Sequence, residues 1–237
     1  MEDNTARDIG GDVPSTTKSA TEDGKEKTAS DQAYLIFESG IKRAENLLEI
    51  NIDSEGTALN IPENKLLDSY RAVMVLSISA LDSYIKTFLI VEIKKSLTER
   101  NLSTDLKKYI KEELFNKEEL HQVVLEINFY DQVIKKFDAD FEKRSFQGQQ
   151  SIDKFMKLAG MNQIFKQISI SADRSIDNIL SSIENYTQRR HLIVHCGDHD
   201  LTQTQLTENV IDRKIASDCI AMVKLIATEI HKLSQTI

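Results

Sequence analysis

From about residue 30 onward, apolar side chains recur at three- and four-residue steps, the spacing that gathers them on one face of a helix. Tyr34, Phe37, Ile41, Ala44 and Leu48 predict a first helix over residues 31–49. A loop with Gly56 and Pro62 follows. Leu66, Tyr70, Val73, Met74, Ser77, Leu81, Ile85, Phe88 and Leu89 then predict a long second helix over 63–99. Ser77, Ser79 and Ala80 keep the middle of this helix slim, so a neighbour can approach closely. A third helical region is expected over 104–143, with a break near Asn116. Gly148 and Gly160 bracket a short helix carrying Ile152, Phe155, Met156 and Leu158. Ile176, Ile179, Leu180, Ile183 and Tyr186 open another helix near Ser175. It continues through Leu192 and Ile193 to a natural stop at Gly197. Val210, Ile211, Ile215, Cys219, Met222, Val223, Ile226 and Ile230 predict a last helix from residue 208 to the C-terminus. No period-two alternation and no internal repeat is visible. The expected fold is all-α: an up-and-down helical bundle with additional short helices.

Composition agrees with long helices. The chain of 237 residues holds two prolines, eight glycines and no tryptophan, and hydrophobic residues make up 40%. Such a length suits one domain with a tail, or at most two small domains. Residues 1–30 are rich in Ser, Thr, Gly and charges of both signs and poor in large apolar side chains, so they are expected to be a disordered tail. Residues 31–237 would form the helical domain. The formal net charge of −8 argues against a coat protein that grips nucleic acid by broad charge neutralisation, and confines any nucleic-acid site to a local one. The two cysteines, Cys196 and Cys219, have neither zinc-type spacing nor a disulfide framework. No uninterrupted apolar run reaches the roughly 18 residues of a membrane span, and the N-terminus lacks the features of a signal peptide. A cytoplasmic protein without membrane contact is the expectation.

The chemistry-bearing stretch runs Thr187-Gln188-Arg189-Arg190-His191-Leu192-Ile193-Val194-His195-Cys196-Gly197-Asp198. An Arg followed by a polar residue, then four residues to a His at the end of a long penultimate helix, resembles the motif of the HEPN superfamily. Arg190, His191 and His195 fit it, with apolar Leu192, Ile193 and Val194 between and small Gly197 after. Arg189 to His195 satisfies the spacing as well. Two further segments extend the resemblance. Ser79-Ala80-Leu81-Asp82-Ser83-Tyr84 looks like the superfamily's second-helix pattern, and Ser145-Phe146-Gln147 leading to Ile152 resembles the RiboL-PSP-HEPN branch. The likeness spans roughly residues 31–235.

The resemblance implies a metal-independent endoribonuclease with no cofactor. In such enzymes the ribose 2′-hydroxyl attacks the adjacent phosphate and leaves a 2′,3′-cyclic phosphate. Carried over, His195 would be general base or acid, a task that suits an imidazole, whose ordinary pKa is about 6.5. Arg190 would hold the phosphate with paired hydrogen bonds, which the planar guanidinium fork allows and an ammonium does not. Arg189, His191 and Asp82 would support the site or contact RNA. The family also implies a toxin or phage-defence role and an antitoxin or other partner. One regulatory pattern, modification of a Tyr two residues after the motif His, does not apply, because Gly197 stands there.

Geometry adds a demand. Five residues on a straight helix advance about 500°, so Arg190 and His195 sit about 140° apart. Two motif helices facing each other across a two-fold axis would bring them together, and a homodimer through the motif helix is therefore expected. Three other readings compete. Arg and His at a helix C-terminus can simply interact with the last carbonyls. A HEPN fold can be a non-catalytic interaction or RNA-binding module. His191, His195 and His199, with Cys196, Asp198 and Asp200, could also be metal ligands, but Leu192 stands where a zincin helix needs Glu, and no metal site is expected.

Overall fold

The computed structural model describes residues 28–50, 63–125, 128–200, 202 and 207–236. The tail expected over residues 1–30 lies outside them, apart from its last three positions. Thr28 caps a helix there: its hydroxyl accepts from the Asp31 N–H while the Asp31 carboxylate accepts from the Thr28 N–H. This reciprocal box starts α1 (Ala29–Leu48) two residues earlier than apolar spacing alone suggests. The long α2 (Glu63–Thr98) follows. Its most apolar 18-residue window is long and apolar enough to cross a bilayer by length and composition, yet 56% of that window is buried within the protein. Val73, Met74, Leu81, Ile85, Phe88 and Leu89 are the reason: all are at most 1% exposed, and α2 is the central helix of the bundle.

The expected third region divides. Helix α3 (Thr104–Tyr109) passes into a π-helical turn, Ile110–Leu114, and Phe115 is extended. Asn116 then caps α4 (Lys117–Val124) with a second reciprocal box through Glu119, which is why the chain breaks at that position. Next come α5 (Phe129–Glu142) and α6 (Gln149–Met156). A short 3₁₀ turn, Lys157–Ala159, ends at Gly160 with φ +82°. Helix α7 (Ile164–Ser171) was not expected, since its eight residues bury only Ile164, Phe165 and Ile168. Helix α8 spans Ile176–Cys196, and α9 spans Arg213–Ser234. The last helix starts later than residue 208 because Asp212 caps it, accepting from the Ile215 N–H at 2.8 Å. Before it, Glu208 forms an isolated antiparallel bridge with His199, and Val210 is exposed rather than on the inner face.

Helices α1, α2, α8 and α9 form the main bundle; α5, α6 and the 3₁₀ turn pack on α2, α3 and α4 join it through them, and α7 packs on α8 and α9. The α1–α2 seam is tight at Gly40, where an added Cβ would stand 3.1 Å from the Ala80 Cβ. A second cluster of Tyr109, Phe137, Phe141, Phe146 and Phe155 rings, at 5.1–5.8 Å, joins α3, α5 and α6. Asp140 bridges it to its surroundings, accepting from the Tyr109 hydroxyl and pairing with Arg144. Burial works against its ionisation, but the Arg144 and Tyr109 hydrogen bonds outweigh it and hold the carboxyl below its ordinary value.

Candidate functional site on the α8 helix

Helix α8 buries Ile179 and Ile183 and turns Glu184, Gln188, His191, Val194 and His195 to the outside. It runs without interruption to Cys196, so Arg190 and His195 keep the divergence of a regular helix. Gly197 then takes the left-handed conformation, φ +60°, and Asp198 does the same at φ +63°. The Gly197 and Asp198 N–H groups both return to the Leu192 carbonyl and close the helix end.

Asp198 is fully buried, and two guanidiniums hold it. Arg189 donates from Nη2 to its Oδ2 at 2.7 Å, while its Nε stands 2.5 Å from Oδ1 without the alignment of a hydrogen bond. The same Nη2 also reaches the Asn209 and Val210 carbonyls, each at 3.1 Å. From α2, Arg71 donates to Asp198 Oδ2 at 2.9 Å, to Glu208 at 2.6 Å and to Asp68 at 3.1 Å. Asn209 fastens the loop from the other side, its backbone and side-chain N–H groups both bonding the Asp198 carbonyl at 2.9 Å. The clamp joins α2, the end of α8 and the strand-like segment before α9.

This arrangement separates the two adjacent arginines. Arg189, expected as a supporting phosphate contact, has its guanidinium committed to Asp198 and two carbonyls. Arg190 is half-buried, its Nε is shielded from solvent without a partner, and no hydrogen bond or ion pair engages its guanidinium among the described residues. Its guanidinium is therefore not committed to another protein group, as that of Arg189 is. His195 is exposed, and its ring lies 4.5 Å from that of His191 at a 44° tilt. His191 and His195 therefore share one open face, while Arg190 lies round the helix from it.

Asp82 is placed elsewhere. Its carboxylate accepts from the Phe146 N–H and, at 3.5 Å, from the Gln147 amide. The Gln147 carbonyl in turn accepts from the Thr187 hydroxyl at 3.0 Å. Asp82 thus secures the loop between α5 and α6, which braces α8 one turn before Arg190. Spacing had not pointed to Arg71, Glu208 or Asn209, and it had offered Asp198 only beside the histidines of the metal-ligand reading. Asp198 stands within the motif stretch, but its partner Arg71 is 127 residues distant, and helical periodicity carries no trace of that pairing.

Beside the clamp, a groove of about 520 Å³ has an apolar floor of Ala72, Val75, Leu76 and Ile193 and an acidic rim of Asp68 and Glu208. Neither Arg190 nor His195 lines it. Among the described residues, no three His, Cys, Asp or Glu side chains converge as metal ligands. Cys219 is buried, which pushes its thiol up to about 12 and makes it a core residue rather than a reactive one.

Comparison with curated proteins and with solved structures found no match. A family model does match. The one described as RiboL-PSP-HEPN aligns with residues 39–233, from the middle of α1 almost to the end of α9, and so contains the Arg190–His195 stretch, the Asp82 tie and the Asp198 clamp within an all-helical bundle: the chain belongs to this branch of the HEPN superfamily.

Proposed function

We propose that the protein is a metal-independent endoribonuclease and that its site forms between two copies of the chain. The observation that carries this reading is the division of labour on α8: Asp198 occupies Arg189, while Arg190 keeps its donors and His195 stays open. His195 takes the proton of the ribose 2′-hydroxyl as its oxygen bonds to phosphorus. The bond from phosphorus to the 5′-oxygen breaks, and that oxygen takes up a proton from solvent. The products are a 2′,3′-cyclic phosphate and a 5′-hydroxyl end. Arg190 neutralises charge growing on the phosphoryl oxygens, where a fixed donor pair is most effective. His191, packed against the His195 ring, orients it or contacts the RNA. A toxin or phage-defence role, with a restraining partner, rests on family analogy alone.

The test is incubation of the purified protein with total RNA in EDTA, beside Arg190→Ala and His195→Ala. Cleavage to cyclic-phosphate ends is expected for the parent. Each substitution should reduce the rate by 100-fold or more, on the order of what general acid–base or oxyanion contacts supply. Cleavage that survives either substitution rejects the assignment. A second reading, a non-catalytic HEPN-fold module for protein or RNA binding, is favoured by one feature: among the described residues, none of the four principal grooves is lined by Arg190 or His195. Growth arrest on expression that His195→Ala relieves would separate the nuclease from the module.

A further inference from the structure

Two grooves flank α2 on its outer face and meet at Leu76, which lines both. Their charges are opposite. The groove toward α8 carries the Asp68 and Glu208 carboxylates, and its one cation, Arg71, is already paired with both of them, so one negative charge is left over. The groove toward α1, about 320 Å³, is lined by no carboxylate; it has Arg43, the hydroxyls of Ser39, Ser79 and Ser83, and an apolar edge at Ile36. The Arg43 guanidinium is exposed, and neither it nor those three hydroxyls makes a hydrogen bond or ion pair among the described residues. In a chain of net charge −8, an acid-free groove with a free guanidinium and three free hydroxyls has the composition of a phosphate site.

Its position relative to Arg190 follows from the register of α8 on α2. Ile193 and Gly197 of α8 face the Arg71–Leu76 stretch. Thr187 is tied through Gln147 to Asp82. The helices therefore run antiparallel here, and Arg190 is level with the part of α2 between Leu76 and Asp82. Ser79 and Ala80 of that part face the α1 groove. A polyanion held at Arg190 has carboxylates with an already paired guanidinium on one side of α2 and hydroxyls with an unpaired guanidinium on the other.

We infer that the α1–α2 groove binds a backbone phosphate of the RNA strand beyond the one cut, with Arg43 as its cation, so that the strand leaves the site over α1 and not past the Asp68 and Glu208 carboxylates. This rests on the nuclease reading. Arg43 and Arg190 then neutralise about two phosphates per chain, and RNA binding has a shallow salt dependence, since each phosphate contact on a single strand contributes about 0.7 to the slope of log K against log salt.

The experiment uses the full chain carrying His195→Ala, to prevent cleavage, and a fluorescent single-stranded RNA titrated between 50 and 200 mM salt. Adding Arg43→Ala should weaken binding several-fold and reduce the slope by about 0.7. Arg43→Lys, which restores the charge, should return the slope. Lys107→Ala, which removes an exposed charge on α3, is the control. Equal effects of Arg43→Ala and Lys107→Ala overturn the inference. So does loss of dimer in sedimentation with an unchanged slope, which would make the groove a face between copies. If the parent cuts RNA and Arg43→Ala binds normally, only the groove assignment fails. If the parent neither binds nor cuts RNA, the nuclease reading fails and takes the groove with it.

Discussion

Asp198 shows how one residue sets the roles of two others. Unlike a surface ion pair, which contributes little, it is fully buried and meets Arg71 and Arg189, whose side chains are 11% and 19% exposed. Removing one partner of such a group leaves buried charge unpaired, at a cost of about 3–5 kcal/mol. Asp198→Ala should therefore lower the unfolding free energy by about 3 kcal/mol, with a further penalty because Ala tolerates φ +63° less well than Asp. Asp198→Asn keeps the shape and the left-handed preference, so its loss isolates the charge. Urea denaturation of both variants measures the two parts. If Asp198→Asn is as stable as the parent, the two guanidiniums do not depend on the carboxylate, and the explanation for Arg189 being occupied is lost. Both Arg189 and Arg190 satisfy the spacing to His195, and the preference for Arg190, with Arg189 in support, had no contact behind it. Only the fold distinguishes them, through a carboxylate that returns past Gly197 and an arginine contributed by a helix far away in sequence.

At the level of elements, what was legible is what helical periodicity encodes. Helices α1, α2, α8 and α9 carry long apolar stripes, and their spans were readable to within a few residues except where caps decide the start. Thr28 and Asp212 are such caps: both lie outside the apolar pattern, and both moved a boundary. The region from α3 to α7 was less readable because its helices are short, some bury few residues, and a π turn interrupts the period between α3 and α4. The slim middle of α2 was visible in Ser77, Ser79 and Ala80, and the structure shows its use: Ala80 receives Gly40 of α1. A side chain at Gly40 faces opposing effects. Ala gains helix propensity of about 1 kcal/mol over Gly, but its Cβ would press Ala80 at 3.1 Å. Those effects should nearly cancel for Gly40→Ala. Gly40→Leu has no such balance and should destabilise by about 1–3 kcal/mol through overpacking, lowering the melting temperature by several degrees. A Leu variant that melts with the parent would mean that α1 is not seated on α2 as described.

For the whole molecule, the divergence of Arg190 and His195 is the decisive constraint. An uninterrupted helix to Cys196 keeps them about 140° apart, so one chain presents its guanidinium and its imidazole in different directions. If each site pairs Arg190 of one copy with His195 of the other, two inactive variants can repair each other. In a mixed dimer of Arg190→Ala and His195→Ala, one site receives both defects and the other receives neither. Random mixing makes about half of the dimers mixed, each with one intact site of two, so about a quarter of the parent activity should return. A site built within one chain cannot be repaired in this way, because every chain in the mixture carries a defect. The measurement is co-expression of the two variants under separate affinity tags, isolation of the mixed dimer, and an RNA cleavage assay in EDTA. Activity near half the parent value in the isolated mixed dimer places the chemistry between the copies. Activity no greater than that of either variant alone, when the parent is active, would require Arg190 and His195 to act within one chain, and α8 would then have to unwind at its end to bring them together.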